Sequence, residues 1–111
     1  MSEVVTSHEL YSIMKDTQYS VLIMDCRSLS DYSSSHIVYP YIINVPEEIL
    51  LAGMSAGKIQ QELSAEYKAL WASRGIRDYV VLVDWSSTGP EPIQNTPIWR
   101  LKDILQNVSF Y

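Results

Sequence analysis

A continuous apolar run, Tyr79–Val83, constrains the fold of this chain more than any other feature. The run is short, rich in β-branched residues, and bounded by Asp78 before it and by the polar stretch 84–89 after it. Such a run is typical of a strand that is buried on both faces, as in a parallel sheet. In open parallel sheets, ligands bind outside the carboxyl ends of the strands. We therefore expect any chemistry of this chain to lie just after Val83.

Helices and strands alternate along the rest of the chain. Residues 21–24 and 41–45 are two further strand candidates, and Thr6 with Glu9 forms a capping box that starts a helix. Other helices are predicted at 46–50 with Pro46 in its first turn, at 55–63, at 64–74, and from Thr96 onward. This alternation predicts a single α/β domain over residues 1–111, with a mostly parallel central sheet and helices on both faces.

Charge and cysteine content narrow the classes of partner. The formal net charge is −5, without a cluster of Lys or Arg, so nucleic acid and anionic membranes are poor partners. A single cysteine permits no internal disulfide, which favours a reducing, cytoplasmic setting. No apolar run approaches the roughly 20 residues of a membrane-spanning helix, so no integral membrane segment is expected. Two histidines far apart predict no metal site, and no motif predicts a cofactor.

One motif follows the strand candidate at residues 21–24. It consists of Asp25, Arg27, Asp31, Tyr32, Ser35, His36 and Ile37. This motif resembles the first signature of rhodanese-like domains, in which an Asp-x-Arg leaves a buried strand and a small residue precedes His-Ile. The resemblance extends over about residues 7–108 and implies a rhodanese-like three-layer fold. It also implies structural roles for the motif residues Asp25, Arg27, Asp31, Tyr32 and His36.

Two departures from the rhodanese-like pattern shape the functional prediction. Active rhodaneses carry a cysteine directly after the strand that matches Tyr79–Val83, and here that position is Asp84. A carboxylate repels the anion that the rhodanese loop must hold, and it cannot carry a transferable sulfur. In addition, the family continues past the helix that starts at Thr96 into a further strand and helix. We therefore expect a fold shortened at its C-terminus, with an exposed sheet edge.

A second set of segments carries a narrower resemblance. The segments are 42–48, 71–75, 79–85 and 101–103. They resemble the rhodanese-homology region of endosomal deubiquitinases of the ubiquitin-specific protease family. The resemblance implies a catalytically inactive interaction module that recruits a RING-type ubiquitin ligase, in the cytoplasm and at endosomes. Candidate partner-binding residues are Trp85, Tyr39, Tyr41, Glu47 and Glu48, although Trp85 fits packing against the following helix equally well.

Alternatives remain open at this stage. Cys26 could serve as the nucleophile of a sulfurtransferase or a cysteine phosphatase, which would require an exposed thiolate with a low pKa. Against this, no Cys-x5-Arg loop follows it, and a single cysteine is usually a packing residue. Asp84 could act as a general base, but one carboxylate without a partner is weak evidence for catalysis. A third alternative is a purely structural domain of a larger chain.

Overall fold

The computed structural model describes residues 3–84, 93–105, 109 and 110. Twelve helical and extended elements cover this part of the chain. The strands are β1 (Glu3–Val4), β2 (Val21–Asp25), β3 (Ile42–Asn44), β4 (Tyr79–Val83) and β5 (Ser109–Phe110). The α-helices are α1 (Ser7–Lys15), α2 (Leu29–Ser34), α3 (Ala56–Glu62), α4 (Ala65–Ala72) and α5 (Pro97–Leu105), and two 3₁₀ helices lie at Glu47–Ile49 and Ser73–Ile76.

The strands form one parallel sheet, in the order β1-β5-β4-β2-β3. The longer strands β4, β2 and β3 lie side by side, with β3 at one edge of the sheet, and Ile23 of β2 lies between Val81 of β4 and Ile42 of β3. The two-residue strands β5 and β1 extend the sheet on the β4 side. The predicted α/β class with a parallel sheet is therefore confirmed.

Both faces of the sheet are buried, because alternate residues of each strand point to opposite faces. Leu22, Met24 and Leu82 pack on one face with Trp71 of α4 and Leu101 of α5. The other face carries a second cluster formed by strand residues and by residues of α1 and α2. Its buried members include Val21, Ile23, Val81, Val83, Leu10 and Tyr32. Burial on both faces explains why β2 and β4 read as uninterrupted apolar runs.

Hydroxyl side chains fix where several helices begin. Thr6 accepts a hydrogen bond from the Glu9 amide, and the Glu9 carboxylate accepts one from the Thr6 amide, so the predicted capping box forms. Ser28 caps α2 in the same way by accepting from the Asp31 amide. Ser55 and Ser64 start α3 and α4. Each cap satisfies a backbone donor that a helix leaves unpaired at its first turn.

Several sequence expectations are corrected. The two-residue strands β1 and β5 were not predicted, and β5 pairs with β4 at a point in the chain where no further strand was expected. The helix predicted at 46–50 is a 3₁₀ helix, Glu47–Ile49, with Pro46 before its first residue. The helix predicted at 64–74 ends at Ala72 and continues as the 3₁₀ helix Ser73–Ile76. None of the described helices is long and apolar enough to cross a membrane.

Candidate functional site

The carboxyl ends of the three longer strands, β2, β3 and β4, lie side by side at the same end of the parallel sheet. Asp25, the last residue of β2, lies in register with Asn44 of β3 on one side and with Val83 of β4 on the other. The residues that leave these strands, Cys26 and Asp84, are therefore neighbours across the sheet. This edge is where ligands bind in parallel α/β folds, so we describe it as the candidate site.

An ion pair anchors the site. The Asp25 side chain is fully buried, and its Oδ2 atom lies 2.8 Å from Arg27 Nη2. Arg27 Nε also donates to the same carboxylate, at 3.0 Å from Oδ1, and the Arg27 amide donates to Oδ1 at 3.1 Å. The Asp25 carboxylate raises the pKa of the Arg27 guanidinium. A buried carboxylate is tolerated only with such compensation, so this pair holds the strand end in place.

Arg27 and Asn44 extend the anchor to the neighbouring backbone. Arg27 Nη2 donates to the Ser35 carbonyl after α2. Asn44 Nδ2 donates to the carbonyls of Asp25 at 2.9 Å and of Arg27 at 3.2 Å. Sequence reasoning identified Asp25 and Arg27 but missed Asn44. A polar residue at the end of an otherwise apolar strand candidate was the signal that could have found it.

Cys26 is buried beneath this edge and is 1% exposed. Its thiol donates to the Val83 carbonyl at 3.4 Å, and its amide donates to the same oxygen at 2.9 Å. Burial raises the pKa of the Cys26 thiol well above its usual value, and the nearby carboxylates of Asp84 and Asp25 raise it further. A neutral, enclosed thiol lacks both the thiolate and the access that nucleophilic catalysis requires.

Asp84 follows β4 directly and is half-buried. Its carboxylate is close enough to Cys26 to raise the pKa of the thiol. The residue that follows β4 is thus a carboxylate and not the cysteine of active rhodaneses. The next residue, the candidate contact Trp85, lies outside the described residues. So do residues 86–92.

The other residues of the Asp-x-Arg motif stabilise α2 rather than form a reactive cluster. The rings of Tyr32 and His36 stack with centroids 4.0 Å apart, and His36 Nδ1–H donates to the Tyr32 carbonyl at 2.7 Å. Burial and a hydrogen bond with Tyr67 of α4 raise the pKa of the Tyr32 phenol. Asp31 is exposed in the first turn of α2. These contacts hold the segment after α2 against the helix and join α2 to α4.

The predicted partner-binding residues separate to opposite ends of β3. Glu47 and Glu48 lie after it, where the Glu48 carboxylate accepts from the Leu29 amide at the start of α2. Tyr39 and Tyr41 lie before it, with their rings in edge-to-face contact at 5.7 Å. Arg77 stacks over the exposed Tyr41 ring at 4.8 Å. The structure therefore does not bring these candidates together in one patch.

The charged side chains at the strand ends contact other groups of the protein. Within residues 3–84, 93–105 and 109–110, no group of three or more His, Cys, Asp or Glu side chains could hold a metal ion. Asp25 and Arg27 form an ion pair with each other. The Glu48 carboxylate accepts a hydrogen bond from the Leu29 amide. No protein-family model matches the sequence.

Proposed function

We propose that this chain is a catalytically inactive, rhodanese-like interaction module of a ubiquitin-specific protease, and that it recruits a RING-type ubiquitin ligase. The proposal places it in the cytoplasm and at endosomes. Its starting point is the resemblance of the Asp25–Ile37 stretch and of segments 42–48, 71–75, 79–85 and 101–103 to that family. The parallel α/β sheet with helices against both faces is compatible with a rhodanese-like three-layer fold.

One observation carries the inactive part of the proposal. The residue that leaves β4 is Asp84, and the single thiol, Cys26, is enclosed with a raised pKa. A sulfurtransferase needs an accessible thiolate in a loop of amide donors that stabilise an anionic persulfide. Here the carboxylates of Asp84 and Asp25 oppose any negative charge on the sulfur. The alternative enzyme that uses Cys26 therefore has no supporting observation.

Sulfur transfer from thiosulfate to cyanide tests the inactive scaffold. We expect the chain to show no turnover above background, and the Cys26→Ala variant to match it. Turnover that disappears in Cys26→Ala would contradict the proposal. Turnover retained in Cys26→Ala would point to a contaminating activity, which a second purification from a different expression host would remove.

Binding to purified RING-type ligases tests the recruiting part separately. The immobilised chain should retain at least one RING-type ligase from a panel. The immobilised Cys26→Ala variant should retain the same ligase equally well. Variants at the two ends of β3 locate the contact. Tyr41→Ala removes an exposed ring before β3, and Glu47→Gln removes a charge after it. Failure to retain any panel member would favour a purely structural domain.

A further inference from the structure

A cleft lies between α5 and the turn that follows the 3₁₀ helix Glu47–Ile49. It has a volume of about 220 Å³. Its apolar wall is formed by Leu51, Met54 and Ile104, and its polar side by Trp99, Arg100 and Asp103. The candidate site at the strand ends does not include this cleft, and the resemblance assigns it no role, although Asp103 lies in segment 101–103, which carries part of that resemblance.

The size of the cleft limits what it can hold. Sites for drug-sized ligands and cofactors measure roughly 300–1,000 Å³. At about 220 Å³ this cleft falls below that range. It is therefore better matched to a single side chain presented by another protein than to a free cofactor or metabolite.

The cleft is lined by one charge of each sign, Arg100 and Asp103, which do not pair with each other. The Arg100 guanidinium donates from Nη1 to the Leu50 carbonyl at 3.1 Å, which holds it against the turn. Arg100 and Asp103 are spaced for an ion pair along one helix, yet no such pair within 4.0 Å is formed. Within the part of the chain that the structure describes, no cation pairs with Asp103. An exposed carboxylate is thus left in the cleft.

Trp99 adds a second feature that favours a cation. Trp99 and Asp103 are four residues apart on α5, so they lie on the same face of the helix. Both line the cleft, and the Trp99 side chain is only half-buried. An indole ring attracts a cation through its π-system, and a carboxylate attracts it directly. Exposed Leu51 and half-buried Met54 offer contact for an aliphatic stem.

We propose that this cleft binds a cationic side chain, lysine or arginine, of a protein partner. The aliphatic stem packs on Leu51, Met54 and Ile104, and the charged end lies between the Trp99 ring and the Asp103 carboxylate. The net charge of −5 favours a basic partner surface through long-range attraction. The proposal stands apart from the ligase proposal, because the cleft is argued from its own contacts.

A small probe tests the cleft without any protein partner. The probe is N-acetyl-lysine methylamide, and its neutral counterpart is N-acetyl-norleucine methylamide, which keeps the stem but lacks the ammonium. Titration of the isotope-labelled chain by NMR should give saturable shifts of the Trp99 indole N–H and of the Met54 amide. The norleucine probe should bind about fivefold more weakly, as expected for the loss of one exposed charge interaction.

Variants then assign the charge effect. Asp103→Asn, which keeps the shape of the side chain, should weaken lysine-probe binding about fivefold and leave norleucine-probe binding unchanged. Glu66→Gln removes the same charge from an exposed position on α4 and should change neither. The proposal is overturned if the two probes bind equally to the wild-type chain, if Asp103→Asn and Glu66→Gln behave alike, or if no saturable shift reaches Trp99. None of these readouts involves a ligase, so the ligase proposal can fail independently.

Discussion

Arg27 grips the buried carboxylate of Asp25 through its side chain and its backbone amide together, although only one residue separates them. The pair thereby closes the end of the central strand β2 and, through the Ser35 carbonyl, fixes the chain after α2. Because the Asp25 side chain is 0% exposed, no water can replace Arg27 without reopening the sheet edge.

Removal of the Arg27 cation should therefore be costly. We expect Arg27→Met to lower the free energy of unfolding by about 3–5 kcal/mol, because it leaves an uncompensated buried charge. Urea denaturation followed by circular dichroism measures the loss. Arg77→Met is the control: Arg77 stacks over the exposed Tyr41 ring and donates to the hydroxyls of Ser73 and Ser20, and its loss should cost about 1–2 kcal/mol. Similar losses in both variants would contradict a buried anchoring role for the Asp25–Arg27 pair.

Cys26 should make stability fall at alkaline pH. Its pKa is raised in the folded state, so the folded chain retains a proton that the unfolded chain loses above about pH 9. The protonated thiol contributes fully to the free energy of unfolding below that pH. Above it, the free energy of unfolding declines by about 1.4 kcal/mol per pH unit for one proton. Urea titrations between about pH 8 and 10 measure the slope. Cys26→Ala should flatten it, and an unchanged slope would mean that the thiol titrates normally when folded.

The same enclosure predicts slow labelling of the thiol. We expect a thiol-reactive disulfide reagent to modify the native chain only through unfolding, since the sulfur is 1% exposed and protonated. The rate should rise with urea in parallel with the unfolded fraction. A fast reaction in the absence of urea, at a rate independent of stability, would instead indicate an accessible thiolate and revive the enzyme hypothesis.

Trp71 offers a test of a buried donor. Its side chain is 0% exposed, and its Nε1 has no hydrogen-bond partner among the described residues. Trp71→Phe removes that unsatisfied group along with some volume, whereas Trp71→Ala leaves a large cavity that costs about 3–5 kcal/mol. We expect Trp71→Phe to cost less than half as much in the same urea experiment. Equal costs would show that the indole nitrogen contributes to stability.

The Thr6 cap gives a smaller and cleaner effect. Thr6→Ala removes the acceptor of the Glu9 amide and should lower stability by about 1 kcal/mol. The hydrogen bonds from Thr6 also lower the pKa of the Glu9 carboxyl. The stabilisation that comes from the ionised Glu9 side chain is therefore present at neutral pH and fades as pH falls below the usual range of a glutamate. Thr17→Ala, in the turn after α1, is the control and should be close to neutral.

How far the sequence predicts this fold depends on the length of each element. β2 and β4 were predicted because an apolar run of four or five residues has one consistent explanation, burial on both faces. β1 and β5 have two residues each, which is too short for an alternating hydrophobic pattern to be recognised. They are strands only because β5 pairs with β4 and β1 pairs with β5. The capping box of Thr6 and Glu9 was predicted because its chemistry is local.

Which contacts of the site and the cleft could be predicted also depends on the sequence distance between the residues. Asp25 and Arg27 are close in the sequence, so a local motif reveals them. The contact of Arg100 with the Leu50 carbonyl joins residues 50 positions apart, and no local pattern encodes it. The strand predicted at 41–45 already stood between Tyr39 and Glu47, and the structure places the tyrosines before β3 and the glutamates after it.

The position of β2 has a consequence for motion. All five residues of β2 pair with β4 on one side, Ile23–Asp25 also pair with β3 on the other, and all five are buried. A fluctuation that frees an end of the chain leaves both of these ladders intact. Amide hydrogens in this strand should therefore exchange with solvent deuterium only when the whole domain opens, and their exchange rates should report its global stability.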